Sequence, residues 1–544
     1  MKYPRLPAWL LFFIGIFFLQ ATVSCDKTEV SLPGSPPDDL SSFIEEHMED
    51  WDIPGMAVAV VHQDSVVFAE GFGVSGLEEP LTVGEPDARP AARETGRLMS
   101  VDEHTLFGVA SISKSFTAAA LGLLVQEGRI HWDDPVIDYL PGFELYDPWV
   151  TESLTIRDAL THRSGLGRMI GNRLRFMTNR DRDELIYRLR YLDPEKPFRH
   201  GYVYNNMMYL VAGHIIPAVT GQSWDAFVEE RLFGPLDMRR SNTSITQIVD
   251  GENAAWPHQE IRGEVKPIPR RNFDNAGPAA SINTTVTELA QWVRLHLGVP
   301  GAYNGERLID ESVIQELHTA QTTIPANEMY GDPGAYGMGW FIERYRGERI
   351  DRHGGGTDGF TTSLILMPGQ DLGIIIVTNT FSDFREVVAN KIMDHYLGLD
   401  ETAWNQIIRD RYEREFREQM AKRDSIHALR QDQIAPSLPL DHFTGDYYDN
   451  LYGELEVMKG DDDRLLLRLW ENEEMTADLE HWEGDRFRAA WHNPAQREKF
   501  VQFVLGRRAV VEGIEVTFNL RPNMLQVGAY PSDYTRTVMF DKVN

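Results

Sequence analysis

Three short patterns in this sequence carry side chains suited to breaking an acyl bond. Ser-x-x-Lys occurs at Ser111–Lys114 and at Ser24–Lys27, Tyr-x-Asn at Tyr204–Asn206 and Tyr448–Asn450, and His-x-Gly at His353–Gly355 and His296–Gly298. Motifs this short recur by chance, so context must select between the copies. Ser24–Lys27 lies at the edge of a removable N-terminal segment, the second Tyr-x-Asn lies in a strand-rich tail, and His296 ends a helix stopped by Gly298. Around the first Ser-x-x-Lys, Phe107–Ala110 leads into Ser111 and Lys114–Ala120 is helical in composition. A serine opening a helix and a lysine three residues on share one face, one turn apart. A serine hydroxyl is a weak nucleophile until a base takes its proton. A lysine near its reference pKa of about 10.4 does that poorly at neutral pH, unless burial lowers it. The helix start also favours an oxyanion at the Ser111 N–H. The plainer readings make Ser111 an N-cap, Lys114 a solvated charge, Tyr204 a buried ring beside a turn-forming Asn206, and His353 a strand-end histidine.

Longer segments around these motifs resemble one family. The run FGVASISKSFTAAALGLLVQEGRIHWDDPVIDYLPGF (Phe107–Phe143) is similar to the nucleophile helix of class C β-lactamases, DD-peptidases and related esterases. SLTIRDALTHRSGLG (Ser153–Gly167), YNNMMYLVAGHIIPAVTG (Tyr204–Gly221) and HGGGTDGFTTSLILMP (His353–Pro368) resemble the segments that follow in that penicillin-recognising group. Order and spacing agree, with 93 residues from Ser111 to Tyr204 and 149 more to His353. The resemblance spans roughly residues 38 to 398. It implies that Ser111 forms an acyl-enzyme, that Lys114 and Tyr204 share the proton work, and that Tyr204 returns the proton to the leaving group. It also implies that Asn206, His353 and Gly355 contact substrate, with the backbone N–H groups of Ser111 and Gly356 as the oxyanion hole. Donors placed where charge develops usually supply the largest catalytic term, about 3 kcal/mol each.

The third motif departs from the family's antibiotic-hydrolysing members, which carry Lys-Thr-Gly where this chain has His353-Gly354-Gly355. A lysine would be a fixed cation for a substrate carboxylate, whereas a histidine is expected to switch near neutral pH. The departure points towards esterase or peptidase activity on small or D-configured substrates, with weak β-lactamase activity as an alternative. A non-catalytic protein that senses peptidoglycan or a β-lactam is the rival from outside the enzymes. HGGG also marks lipase oxyanion holes, but there it precedes a G-x-S-x-G elbow; no such elbow exists here, and HGGG follows Ser111 by 242 residues. No H-E-x-x-H or cysteine cluster suggests zinc, so neither metal nor organic cofactor is expected. His162 is read as structural rather than as a ligand.

The elements that must position these groups can be read from the flanking patterns. A helix is expected from Asp39-Leu40 to about Trp51, then strands at Met56–Val61 and Ser65–Phe72. Helices follow at Ser113–Glu127, Asn206–Thr220 and Val286–Leu297, then strands at Met338–Tyr345, Thr361–Met367 and Leu372–Thr378, and a helix at Phe384–Tyr396. Strands at both ends with helices between predict an α+β fold: an antiparallel sheet flanked by helices, with an all-helical lobe. Residues 403–433 are charge-dense with helical spacing. Beyond Pro436, short alternating runs broken by turns predict a small all-β barrel, and YGELEV (Tyr452–Val457) and LEHWEGDRFRA (Leu479–Ala489) resemble a lipocalin-like domain. The resulting division is 1–25 signal peptide, 26–37 tether, 38–400 hydrolase domain, 401–436 linker helix and 437–544 barrel.

Composition bounds the setting. The chain has 544 residues, 53 basic and 83 acidic, for a net charge of −30, a field that repels phosphate backbones and disfavours nucleic-acid partners. Lys2 and Arg5 precede an apolar run from Ala8 to Leu19, which is short for a bilayer span and reads as a signal-peptide core, with export to the periplasm or outside. Cys25 is the single cysteine, so no internal disulfide can form. Its place after Val23-Ser24 resembles a bacterial lipoprotein site, implying a lipid on its thiol and attachment to a membrane, although Thr22 stands where leucine is usual. Cleavage by an ordinary signal peptidase is the other reading.

Overall fold

The computed structural model describes residues 34–543 apart from 78–98, 168–177, 520–534 and short stretches at 179, 250, 262, 327–328, 429, 431–433, 461–463, 470–471 and 494–498. The expected signal peptide, Cys25 and most of the expected tether lie outside the described residues. Among the described residues, no helix is long and apolar enough to cross a membrane.

Helix α1 (Leu40–Met48) leads into strands β1 (Gly55–His62) and β2 (Ser65–Gly73). The chain then builds a helical lobe that includes α2 (Ser113–Gln126), α3 (Ile156–Leu160), α4 (Arg182–Arg188), α5 (Asn206–Thr220), α6 (Gly277–Ala280) and α7 (Val286–His296). It returns to the sheet through β3 (Thr322–Ile324), β4 (Gly334–Tyr336), β5 (Phe341–Tyr345), β6 (Glu348–Thr357), β7 (Phe360–Met367) and β8 (Leu372–Thr378). These eight form one sheet in the order β2-β1-β8-β7-β6-β5-β4-β3, so distant segments meet where β1 pairs antiparallel with β8. The expected strand Met338–Tyr345 is shorter, because Gly339 at φ 86° turns the chain before Phe341.

Alternation along β1 shows how the sheet is covered. Met56, Val58 and Val60 pack with Ile44 of α1 and with Phe384, Val388 and Ile392 of α8 (Phe384–Tyr396). Ala57, Ala59 and Val61 face Phe116 of α2 and Trp292 of α7. A strand buried on both faces reads as an unbroken apolar run, and each large side chain so buried contributes about 1.5–3 kcal/mol. The active lobe's helices therefore rest on one face of a sheet whose other face is closed by α1 and α8.

Helix α9 (Trp404–Ala428) leaves this body, its first turn tied by Trp404 Nε1 to Asp394 and by Asn405 to Trp51. It leads to a closed barrel of β9 (Gly445–Asp449), β10 (Gly453–Lys459), β11 (Leu465–Leu469), β12 (Thr476–Glu483), β13 (Arg486–Trp491), β14 (Lys499–Leu505), β15 (Val511–Asn519) and β16 (Thr535–Lys542). Phe443, Tyr447, Phe487 and Phe503 are buried together inside the barrel, with the Phe443 and Phe503 rings 4.6 Å apart.

Candidate active site

Ser111 sits in a single 3₁₀ turn, Ala110–Ile112, that runs directly into α2. Ala110 before it adopts φ 47°, a conformation that non-glycine residues rarely hold and that clusters at functional sites. The turn is secured by Ser113 Oγ, which donates to Ala110 O at 2.7 Å and accepts from Ile282 N–H at 3.1 Å. Strand β6 lies against this turn because Gly355 has no side chain. A Cβ there would stand 2.2 Å from the Val109 carbonyl oxygen. The side-chain face of Gly355, a residue expected to contact substrate, lies against Val109, and the position supplies close approach of β6 to Ser111.

Lys114 is fully buried, and its Nζ donates to Ser111 Oγ and to the Ala279 carbonyl of α6, both at 2.9 Å. The faces of Tyr204 and Tyr209 lie 5.0 and 5.5 Å from the ammonium. Tyr204 OH also donates to Ser111 Oγ, at 2.9 Å, although 93 residues separate them. Three of the residues read from the sequence thus meet at one hydroxyl oxygen. Asn206, buried to 6%, opens α5 two residues beyond Tyr204.

Tyr204 is held from both sides by one residue that the sequence offered only as structural. The His162 carbonyl accepts from Val203 N–H at 3.0 Å, and its ring Nδ1 accepts from Asn205 N–H at 3.1 Å. Because Nδ1 accepts, the ring proton sits on Nε2. His162 adopts φ 58°, and its ring lies 4.4 Å from that of Tyr204. Asn205 then caps α5 through Met207 N–H at 2.8 Å and donates to Gly167 O at 3.0 Å.

His353 departs from its expected role as a titrating donor. It is 2% exposed; burial first, and then the Lys114 charge, push its pKa down to about 3. Its Nδ1–H donates to Gly354 O at 2.8 Å, which leaves Nε2 to accept from Tyr336 O–H at 3.1 Å. The ring is a neutral link between β4 and β6, not a cation. Tyr336 and Tyr209, whose hydroxyl donates to Leu160 O at 2.7 Å, complete the layer behind Tyr204, and burial raises both of their pKa values. No spacing pattern pointed to Tyr336 or to the Ala279 carbonyl, since each reaches the site only through the fold. Among the described residues, no cluster of His, Cys, Asp or Glu fits a metal ion.

Residues 40–397 match the beta-lactamase family, and the chain belongs to it. Residues 429–527 match a domain of unknown function, DUF3471. The unguisins hydrolase ungD' of Aspergillus campestris (strain IBT 28561) is 28% identical over 467 residues, 81% of each chain. The fold is shared with the octameric penicillin-binding protein homologue from Pyrococcus abyssi, at TM-score 0.58 and 23% identity over 88% of this chain and 97% of that one. It is shared also with the D-amino acid amidase from Ochrobactrum anthropi SV3, at TM-score 0.53 and 19% identity, covering 66% and 97%. The chain is therefore a beta-lactamase-fold protein of the serine hydrolase family, extended by an eight-stranded barrel.

Proposed function

We propose that this protein is an exported serine hydrolase that cleaves ester or amide bonds of small or peptide substrates through an acyl-enzyme on Ser111. The observation that carries this reading is the convergence of Lys114 Nζ and Tyr204 OH on Ser111 Oγ, each at 2.9 Å. With one member of the Lys114–Tyr204 pair deprotonated, as neutral amine or phenolate, Ser111 Oγ attacks the substrate carbonyl carbon and its proton passes to that vacant position. The oxyanion is met by the N–H groups of Ser111 and Gly356, brought together by the approach of β6 at Gly355. Tyr204 hands the proton to the departing alcohol or amine, and Asn206 holds the acyl portion. Water then attacks the ester, the same pair takes its proton, and Ser111 is released with the acid. The name of the fungal relative, a hydrolase, supports the class.

His353 gives this site no cation, since its Nε2 is occupied by Tyr336 O–H. Neutral esters and amides are therefore expected to exceed penicillins and cephalosporins in kcat/KM. A fluorophosphonate probe should label wild type on Ser111 and leave Ser111→Ala unlabelled, with thermal midpoints nearly equal. Lys114→Ala should lower kcat by a factor of about 10³ or more. A panel of esters, D-amino-acid amides and a chromogenic cephalosporin sets the preference. Wild type that neither labels nor turns over any panel member would refute the hydrolase.

A further inference from the structure

The barrel meets the helical lobe through main-chain oxygens. At the turn between β9 and β10, Asp449 Oδ1 accepts from Leu451 N–H at 2.9 Å and Tyr452 N–H at 2.7 Å, which fixes the turn. The carbonyls of that turn then receive two arginines of the lobe. Arg180 Nη2 donates to Tyr452 O at 2.6 Å, and Arg188 Nη1 donates to Asn450 O at 2.8 Å. Both guanidiniums are largely buried and share the Glu184 carboxylate, at 3.2 and 2.9 Å. One carboxylate serves two cations here, and the barrel's carbonyls supply further acceptors for them. Gly453, at φ 85°, makes the fit possible, because a Cβ there would stand 2.3 Å from Arg180 Nη2.

The seated segment leads to the site. Arg180 O accepts from Asn275, and two residues on, Arg182 Nε donates to Asp274 O at 2.8 Å. Arg182 is anchored in turn by both oxygens of Asp225, at 2.8 and 3.0 Å. Asp274 and Asn275 belong to the 3₁₀ turn Asp274–Ala276 that immediately precedes α6, whose Ala279 carbonyl receives Lys114 Nζ. Gly277 at the start of α6 is packed so closely that a Cβ would lie 2.4 Å from Arg182 Nη2. In the barrel, Phe443, Tyr447, Phe487 and Phe503 are buried beside aliphatic residues such as Leu455 and Val501.

We propose that the C-terminal barrel works as a buttress: its β9–β10 turn holds the Arg180–Arg188 segment, and thereby the α6 carbonyl that positions Lys114. This inference rests on the reading of Lys114 as part of the catalytic pair. Arg180, Arg188 and Gly453 are positioning residues, remote from the reacting atoms.

The test uses the full-length chain. Gly453→Ala and Arg180→Ala should lower kcat for a small neutral ester, and the rate of Ser111 labelling, about tenfold or more, with KM changed less than twofold. Arg180→Lys, which retains one donor for Tyr452 O, should recover most of the loss. Gly484→Ala is the control, since Gly484 is a barrel turn glycine at φ 53° whose Cβ would meet nothing closer than Ile434 at 3.8 Å. It should keep wild-type kcat. If Gly453→Ala loses its near-UV circular dichroism, Arg180→Ala and Arg188→Ala carry the same expectation. Seam variants within twofold of wild type, or an equal loss in Gly484→Ala, would overturn the buttress. Failure of wild type itself to label on Ser111 would instead overturn the hydrolase reading.

Discussion

His162 shows how much of this site depends on a residue outside the three motifs. By accepting from the N–H groups on both sides of Tyr204, it sets where the phenol stands relative to Ser111. His162→Ala should lower kcat about 10- to 100-fold with little change in KM, while His162→Asn should retain more activity. Asparagine tolerates the left-handed backbone and offers an acceptor. In a Tyr204→Phe background, His162→Ala should add little, which a double-mutant cycle would measure. His353 carries a different expectation. Its folded pKa, about 3, lies below its unfolded value of about 6.5, so the unfolded chain binds a proton that the native one refuses. Stability should then fall as pH drops from about 6.5 to 3, and His353→Gln should flatten that part of a Tm–pH curve. The pH–rate profile between 6 and 7 should show no limb that disappears in His353→Gln.

At the scale of elements, the decisive contact is β6 against the turn that carries Ser111. The approach leaves no room for a methyl group at residue 355, and the obstacle is the main chain of Val109 rather than a movable side chain. Gly355→Ala must therefore push β6 away from Ser111 or distort its pairing with β7. Overpacking of this kind costs about 1–3 kcal/mol. We expect a lower thermal midpoint together with a fall in kcat of about 100-fold or more, because the oxyanion donors separate. Gly354→Ala is the comparison: its Cβ would meet only the Thr362 carbonyl, at an ordinary 3.6 Å. Equal tolerance at both positions would show that the spacing between β6 and the Ser111 turn is not critical.

For the whole molecule, the sheet and its helices, α9 and the barrel form a chain of supports ending on α6. If Cys25 bears a lipid, Cys25→Ser should move the protein from the membrane fraction to the soluble exported fraction. The two or three acyl chains of such a modification suffice for stable anchoring, whereas a single chain binds only reversibly. Mass spectrometry that finds an unmodified N-terminus downstream of Cys25 would rule this out. The net charge of −30 sets up self-repulsion that opposes non-specific association.

The sequence by itself determined the fold class and the central residues. Ser111, in the 3₁₀ turn that runs into α2, and Lys114, in the first turn of that helix, are three residues apart, so their spacing alone put them together. Tyr204 was legible through its segment, and the buried strands β7 and β8 through their apolar stretches Leu364–Met367 and Ile374–Val377. Local patterns also marked the start of α1 and the extent of α5 and α8. What only the tertiary structure decided depends on long-range placement. A histidine at position 353 reads as a switch until it is seen buried with both ring nitrogens engaged, because pKa follows solvation and partners rather than residue type. The need for a glycine at 355 shows only when the Val109 carbonyl is seen where a side chain would be. The Ala279 carbonyl carries no side-chain signal at all, and the turn at Asn450–Tyr452 meets Arg180 and Arg188 across more than 260 residues of sequence. Main-chain acceptors are present at every residue, so only the fold selects the few that hold a lysine or an arginine.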